Sequence, residues 1–175
     1  MSRSGAPRVV FDTATCRGVV VDQPSIEALV EKWFGRRSEE GLILDLVEVS
    51  YLILEGRAVV ETRRGVVLES LGSLMEEAPS CFKDFFWPQL LVYKDLRDRG
   101  RRVQILGQGR FLVRDKHGSL RIVRVLEEKR EVSIQELMKE VEDARSNSLS
   151  LVLAIVSLQG DVTYYEAGKV SLEAG

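Results

Sequence analysis

Leu149-Ser150-Leu151-Val152-Leu153-Ala154-Ile155-Val156 is nearly unbroken in apolar side chains, and its reading decides the architecture of the second half of the chain. A run this short and this apolar reads as a strand buried on both faces. Ser157-Leu158-Gln159-Gly160-Asp161 turns the chain, and Val162 to about Ala167 forms a last strand. Upstream, Ser133 and Glu136 have the S-x-x-E spacing of a capping box. They open a helix whose apolar face is Ile134, Leu137, Met138, Val141 and Ala144. Three further strands precede it, at 102–106, 110–113 and 120–126, with Gly107 and Gly109 in the first turn and His117-Gly118 in the second. A helix from about 83 to 99 comes before these, with Lys94, Arg97 and Arg99 at its negative end and Gly100 as its cap. Helix, three strands, helix, two strands predicts a mixed sheet flanked by helices.

The first half has a different grammar. Residues 8–11 and 17–21 are short β-branched runs that read as a hairpin. Pro24 and Ser25 open a helix on which Ile26, Leu29, Val30, Trp33 and Phe34 share one core-facing side. Gly35 ends it. Ser38, Glu39 and Glu40 read as the acidic start of a second helix whose body is Leu42 to Leu54, stopped by Gly56. Val59-Val60 and Val66-Val67 flank Arg63-Arg64-Gly65 as another strand pair, and Leu71 to Glu77 is a short helix ended by Pro79. The expected class is α+β, or mixed α/β, in two parts: an α/β domain over 1–82 and a second domain over 83–175.

The composition is globular, with 45% hydrophobic and 30% charged residues in 175. No apolar run is long enough to span a membrane, and Val9-Val10-Phe11 meets Asp12 too soon for a signal peptide, so a soluble, cytoplasmic protein is expected. Cys16 and Cys81 are far apart and form no zinc or CxxC spacing; two reduced thiols are the expectation. No metal site and no cofactor motif is present: Gly107-Gln108-Gly109 lacks the further glycine and lysine of a phosphate loop. His117 is the one histidine, so any imidazole chemistry rests on it. Arginine supplies 18 of the 25 basic residues and Asn147 is the sole asparagine, a bias suggestive of a thermophile. Charge is uneven. From Lys94 to Arg124 ten basic residues face three acidic ones in a chain of net charge −2. That excess suggests a surface for a polyanion, with Arg101, Arg102, Arg110, Arg114, Lys116, Arg121 and Arg124 as the candidate binding residues.

Three stretches resemble the archaeal tRNA-intron splicing endonuclease family. They are Val92-Tyr93-Lys94-Asp95-Leu96-Arg97-Asp98-Arg99-Gly100, then Ala154-Ile155-Val156 with Gly160-Asp161-Val162-Thr163-Tyr164-Tyr165, and Phe34-Gly35 with the segment Gly41 to Leu52. The resemblance implies a small N-terminal α/β domain and a nuclease-like C-terminal domain. It also implies metal-free cleavage of precursor tRNA at a bulge-helix-bulge, in which a 2′-hydroxyl attacks the adjacent phosphate. In the family a tyrosine serves as base, a histidine as acid and a lysine steadies the phosphorane.

At the matching positions this chain departs from the family. Phe111-Leu112-Val113 leads to Arg114 where the family has tyrosine, and Ser146-Asn147-Ser148-Leu149-Ser150 contains no lysine. Counting back from Val123 to the family's histidine lands on Gly118, one residue from His117, which is at most vestigial. The resemblance therefore implies a non-catalytic, structural subunit, paired two plus two with a catalytic endonuclease chain acting on precursor tRNA. Two alternatives stay open: a metal-independent ribonuclease using His117 with Arg114, and an RNA-binding or assembly module unrelated to splicing. For the subunit interface the resemblance implies the turn Gln159-Gly160-Asp161, with Asp161 as docking charge, and Tyr164 and Tyr165 on the strand after it.

Overall fold

The computed structural model describes residues 5–83 and 85–172. Within them the chain divides into two compact units, one ending at Tyr93 and the other beginning at Lys94. The class is α+β.

The first unit is built on a five-stranded sheet. Strands β1 (Arg8–Asp12) and β2 (Arg17–Val20) form the hairpin expected from their β-branched runs, Val10 opposite Val19. Helix α1 (Gln23–Glu31) follows, capped by Asp22, whose carboxylate accepts from the Ser25 N–H at 3.0 Å. Then come β3 (Arg36–Ser38), β4 (Gly41–Leu44), helix α2 (Leu46–Leu54), β5 (Val59–Thr62) and helix α3 (Leu71–Glu77). The sheet order is β3-β4-β2-β1-β5, with β1 and β5 parallel and the other pairs antiparallel. One face supplies the core through Val9, Phe11, Val20, Leu42, Leu44 and Val60. Helix α2 is buried from Leu46 through Ile53, as its density of apolar residues requires.

Four expectations are corrected here. Ser38-Glu39-Glu40 does not start a helix; it is the turn of the β3–β4 hairpin. Gly41 lies so close to β2 that a Cβ would sit 2.2 Å from the Val20 carbonyl oxygen, at a φ of +123°. The helix starts later, where Asp45 and Glu48 form a capping box. Helix α1 ends at Glu31, before Trp33 and Phe34: Trp33 takes a left-handed φ of 65° and is half-buried. Phe34 does enter the core, from coil, stacking on Tyr51. Val66 and Val67 form no strand; Val67 makes a single bridge to Glu61 and is half exposed. Cys16 and Cys81 are not free thiols. The β1–β2 turn comes beside the 3-10 turn Pro79–Cys81, with Cα atoms 5.6 Å apart, and the two are joined by a disulfide.

Helix α4 (Phe86–Asp98) starts in the first unit and ends in the second. Its expected beginning near 83 takes in Asp84, which lies outside the described residues. The second unit continues with β6 (Arg102–Gly107), β7 (Arg110–Arg114), β8 (Leu120–Glu127), helix α5 (Ile134–Ser146), β9 (Ser150–Val156) and β10 (Val162–Ala167). The sheet order is β10-β9-β8-β7-β6. Only β8 and β9 are parallel, and α5 is the crossover that parallel neighbours need.

Two burial patterns differ from expectation. On β9, Val152, Ala154 and Val156 are buried along one face. On the other face Leu151 is buried while Leu153 and Ile155 are half-covered, since α5 screens only part of it. Of the apolar face expected for α5, only Ala144 is buried; Ile134 is 73% and Met138 64% exposed.

Candidate nucleic-acid interface

Alternation along the strands sorts the basic block into two faces. The register sets Arg114 opposite Arg102 and Arg110 opposite Arg124, so these four arginines share one face with Leu112 and Ile122. Helix α5 lies against that face, because Arg124 ion-pairs there with Glu140. Arg121 is opposite Val113 and belongs to the other face, against which the end of α4 packs through Leu96 and Arg99. The candidates are therefore not one surface.

Arg124 is the most committed of them. Its guanidinium is largely covered, contacts Glu140 Oε1 and approaches Glu136 at 3.9 Å. It serves the α5 contact. Arg102 and Arg110 are exposed. The Arg114 guanidinium lies along Gly118, where a Cβ would meet Nη2 at 3.6 Å, and the Lys116 chain passes over Gly100.

The end of β7 and the starts of β8 and β9 lie side by side at one end of the second sheet. Arg114 is opposite Leu120, and Arg121 is opposite Ser150, so the turn 115–119 and the entry to β9 are neighbours. The turn is fixed by Asp115, whose Oδ1 accepts the N–H groups of His117 and Ser119, each at 2.9 Å. Burial pulls the Asp115 carboxyl upward, but the Ser119 and His117 N–H groups and the nearby charges of His117 and Arg101 prevail and hold it below the usual value. His117 itself is exposed. In the stretch Ser146 to Ser150, Ser146 and Asn147 turn back onto the Glu142 and Asp143 carbonyls, Ser148 takes a left-handed φ of 57°, and Leu149 lines a cavity of about 460 Å³ under α5. Arg114, Gly118, Leu149 and Ser150 thus lie toward one end of the second sheet, and they carry no phenol, imidazole or amine.

On the opposite face, at the same end, the sequence reading missed a constellation. Arg99, Arg101 and Arg121 line a cavity of about 220 Å³ whose floor is Val113, Val123 and Val152. Tyr164 forms part of its wall; its hydroxyl donates to Asp95 Oδ2 at 2.6 Å, and Asp95 also binds Arg99 Nε at 3.0 Å. The Arg99 guanidinium lies 6.0 Å from the centre of the Tyr164 ring. Burial, then the bond to Asp95, pushes the Tyr164 phenol well above its usual value. The sequence places Arg99 at the negative end of a helix and Tyr164 on the strand expected at the subunit interface. The one sequence signal that could have joined them is the i, i+4 spacing of Asp95 and Arg99.

The turn expected at the subunit interface is tightly built. Gly160 has a φ of 90°, Ser157 exchanges backbone bonds with Asp161 and Gly160, and the Leu158 N–H donates to Glu128. Gln159 and Asp161 are exposed, as is Tyr165 at 54%.

Comparison with known proteins adds two kinds of likeness. Residues 11–71 match the tRNA intron endonuclease N-terminal domain, and residues 86–164 match the tRNA intron endonuclease catalytic C-terminal domain. The tRNA-splicing endonuclease of Thermococcus gammatolerans is 34% identical over 166 residues, covering 90% of this chain and 96% of that protein. Its counterpart from Thermococcus kodakarensis is 32% identical over 165 residues, with the same coverage. A longer tRNA-splicing endonuclease, from Methanococcoides burtonii, is 31% identical over 161 residues, which span 89% of this chain and 45% of the relative.

Proposed function

The chain belongs to the tRNA intron endonuclease family, and from that premise we propose that it is a non-catalytic subunit of a tRNA-splicing endonuclease, positioning a catalytic paralogue on precursor tRNA. One observation carries the reading. At one end of the second sheet β7 ends on Arg114, the turn after it carries Gly118, and the stretch Ser146 to Ser150 that leads into β9 has no lysine, so that none of these residues takes or gives a proton near neutral pH. General acid–base cleavage needs a base on the attacking hydroxyl and an acid on the leaving oxygen, each supplying a separate part of the barrier. His117 is one exposed group on a turn and supplies one of these at most.

Features of the second unit support association with another chain. Strand β10 is an open edge, a template for pairing. Beside it Tyr165 is exposed, on the same sheet face as the exposed Ile134 and Met138 of α5. The assembly proposed is two plus two, with Asp161 presented for docking by the turn at Gly160. A cut at bulge-helix-bulge sites would depend on fixed spacing between two catalytic centres more than on base reading.

The test is a mixing assay on bulge-helix-bulge RNA. Alone, the chain should not cut; mixed with a catalytic paralogue that is inactive by itself, it should restore cleavage. Cleavage by the isolated chain would favour a ribonuclease built on His117 and Arg114. RNA binding without rescue would favour a module unrelated to splicing.

A further inference from the structure

We infer that Arg99, Arg101 and Arg121 form a pocket for one phosphate group of an RNA backbone, on the face of the second sheet opposite Arg102, Arg110 and Arg114. This rests on the reading of the chain as an RNA-processing subunit, and it narrows where the RNA is held. Two arginines of the short connection between α4 and β6, Arg99 and Arg101, and one near the start of β8, Arg121, converge on one cavity of about 220 Å³. That volume has room for a tetrahedral oxyanion and the bonds leading from it.

The charge in the pocket is available. Among the described residues, neither Arg101 nor Arg121 makes an ion pair or a side-chain hydrogen bond, and Arg121 is exposed. Asp115, the acid on the rim, is occupied by two backbone N–H groups, although its charge is felt by Arg101. Arg99 is held differently. Its Nε is tied to Asp95, and Asp95 is fixed from the other side by the Tyr164 hydroxyl. Arg99 thus keeps its terminal nitrogens for a ligand while its orientation is set, an arrangement that lowers the cost of ordering on binding. The floor of Val113, Val123 and Val152 is buried, so its walls are of low polarizability and strengthen the attraction to an anion.

The other basic candidates are less suited. Arg124 is consumed by Glu140, and Arg102 and Arg110 stand exposed on the opposite face, Arg110 beside the cavity under α5 that also holds the Glu140 and Asp143 carboxylates. An arginine fork matches a phosphate bidentately, whereas lysine offers a point charge. Tyr164 and Asp95 are positioning residues that act through Arg99.

The experiment measures binding of a fluorescein-labelled bulge-helix-bulge RNA hairpin to the full chain across a salt series. Arg101→Ala with Arg121→Ala should weaken binding about tenfold and lower the slope of log affinity against log salt by about one. Arg102→Ala with Arg110→Ala removes the same charge and should leave the slope within error. Arg121→Lys keeps the charge and the fold; it should retain the slope yet weaken binding about threefold through loss of the planar fork. Tyr164→Phe should lower affinity without changing the slope. Equal slope losses in both double variants, no loss in the first, or no measurable affinity of the unaltered chain at low salt would each overturn the pocket. The mixing assay reports separately: rescue of cleavage by a chain whose slope ignores Arg101 and Arg121 would sink the pocket and keep the subunit reading. A pocket that behaves as described in a chain that rescues nothing would do the reverse.

Discussion

The Tyr164 hydroxyl donates to Asp95 Oδ2 at 2.6 Å across a sequence separation of 69 residues, and so ties the edge strand β10 to the last turn of α4. A bond to a charged acceptor in a half-buried site contributes about 1.5–3 kcal/mol. Tyr164→Phe should therefore lower unfolding free energy by about 2 kcal/mol in urea titrations. The phenol's raised pKa has a sign that can be followed. The folded state keeps its proton above the ordinary value of 10.0, so this contribution is whole below pH 10 and is lost as pH rises further. Alkaline melts of Tyr164→Phe should be flatter than those of the unaltered chain; parallel curves would argue against the bond.

Arg124→Ala is expected to act on stability first. It leaves the Glu140 carboxylate, whose Oε2 is already buried without a hydrogen-bond partner, without the guanidinium it pairs with. Removing one member of such a covered pair costs about 3 kcal/mol. Arg124→Ala with Glu140→Leu should recover most of that loss in the same urea titration. If the single variant melts normally, the pair is not structural.

Reduction of the Cys16–Cys81 disulfide releases a crosslink spanning 65 residues. By the loop-closure relation this constrains the unfolded chain by about 4 kcal/mol. Cys16→Ser with Cys81→Ser should lower the denaturant midpoint of the first unit, and added reductant should then change nothing more. A midpoint indifferent to reductant in the unaltered chain would show that the bond does not hold in solution.

The Asp12 carboxylate accepts from the Ala14 N–H at 3.1 Å and the Thr15 hydroxyl at 3.0 Å, and pairs with Arg63 at 3.0 Å. The Ala14 bond comes first among the causes that set its pKa below 3.8, against the opposing pull of burial. A depressed carboxylate stabilises the fold above its unfolded pKa and loses that contribution as pH falls through the folded one. Thermal midpoints should drop below pH 3.8, and Asp12→Asn should flatten that acid limb while lowering the plateau at neutral pH.

Asp161→Lys tests the assembly. The exposed carboxylate is reversed in sign on a turn held by backbone bonds, so the fold should persist by circular dichroism. Association with a catalytic paralogue, followed by sedimentation, should weaken at least tenfold, as an unpaired or repelled charge at an interface does. A heteromer of normal affinity would remove Asp161 from the interface.

The second unit was legible because its signals are local. Alternating apolar runs end at Gly109 and Gly118, and Ser133 accepts from the Glu136 N–H as the capping spacing requires. The first unit was harder because competing signals lie close together. Ser38-Glu39-Glu40 and Asp45 with Glu48 both offer helix starts, and what decides between them is the approach of Gly41 to Val20, a tertiary contact. The site was legible in part. Strand alternation divides the arginines between faces once the register is known, but it says nothing of Glu140 claiming Arg124 or of Asp95 orienting Arg99. Pairings across many residues, Cys16 with Cys81 and Tyr164 with Asp95, leave no periodic trace in a single sequence.

The parallel pairing of β8 with β9 has a consequence for synthesis on the ribosome. Strand β8 cannot gain its inner neighbour until α5 has been made and β9 has emerged, so β8 waits with one edge open while the helix forms. The first unit, whose last strand ends at Thr62, has all its sheet partners long before then. Folding during translation is therefore staggered: the amino-terminal sheet closes early, and the interval in which an unsatisfied strand is open to misplaced pairing belongs to the second sheet.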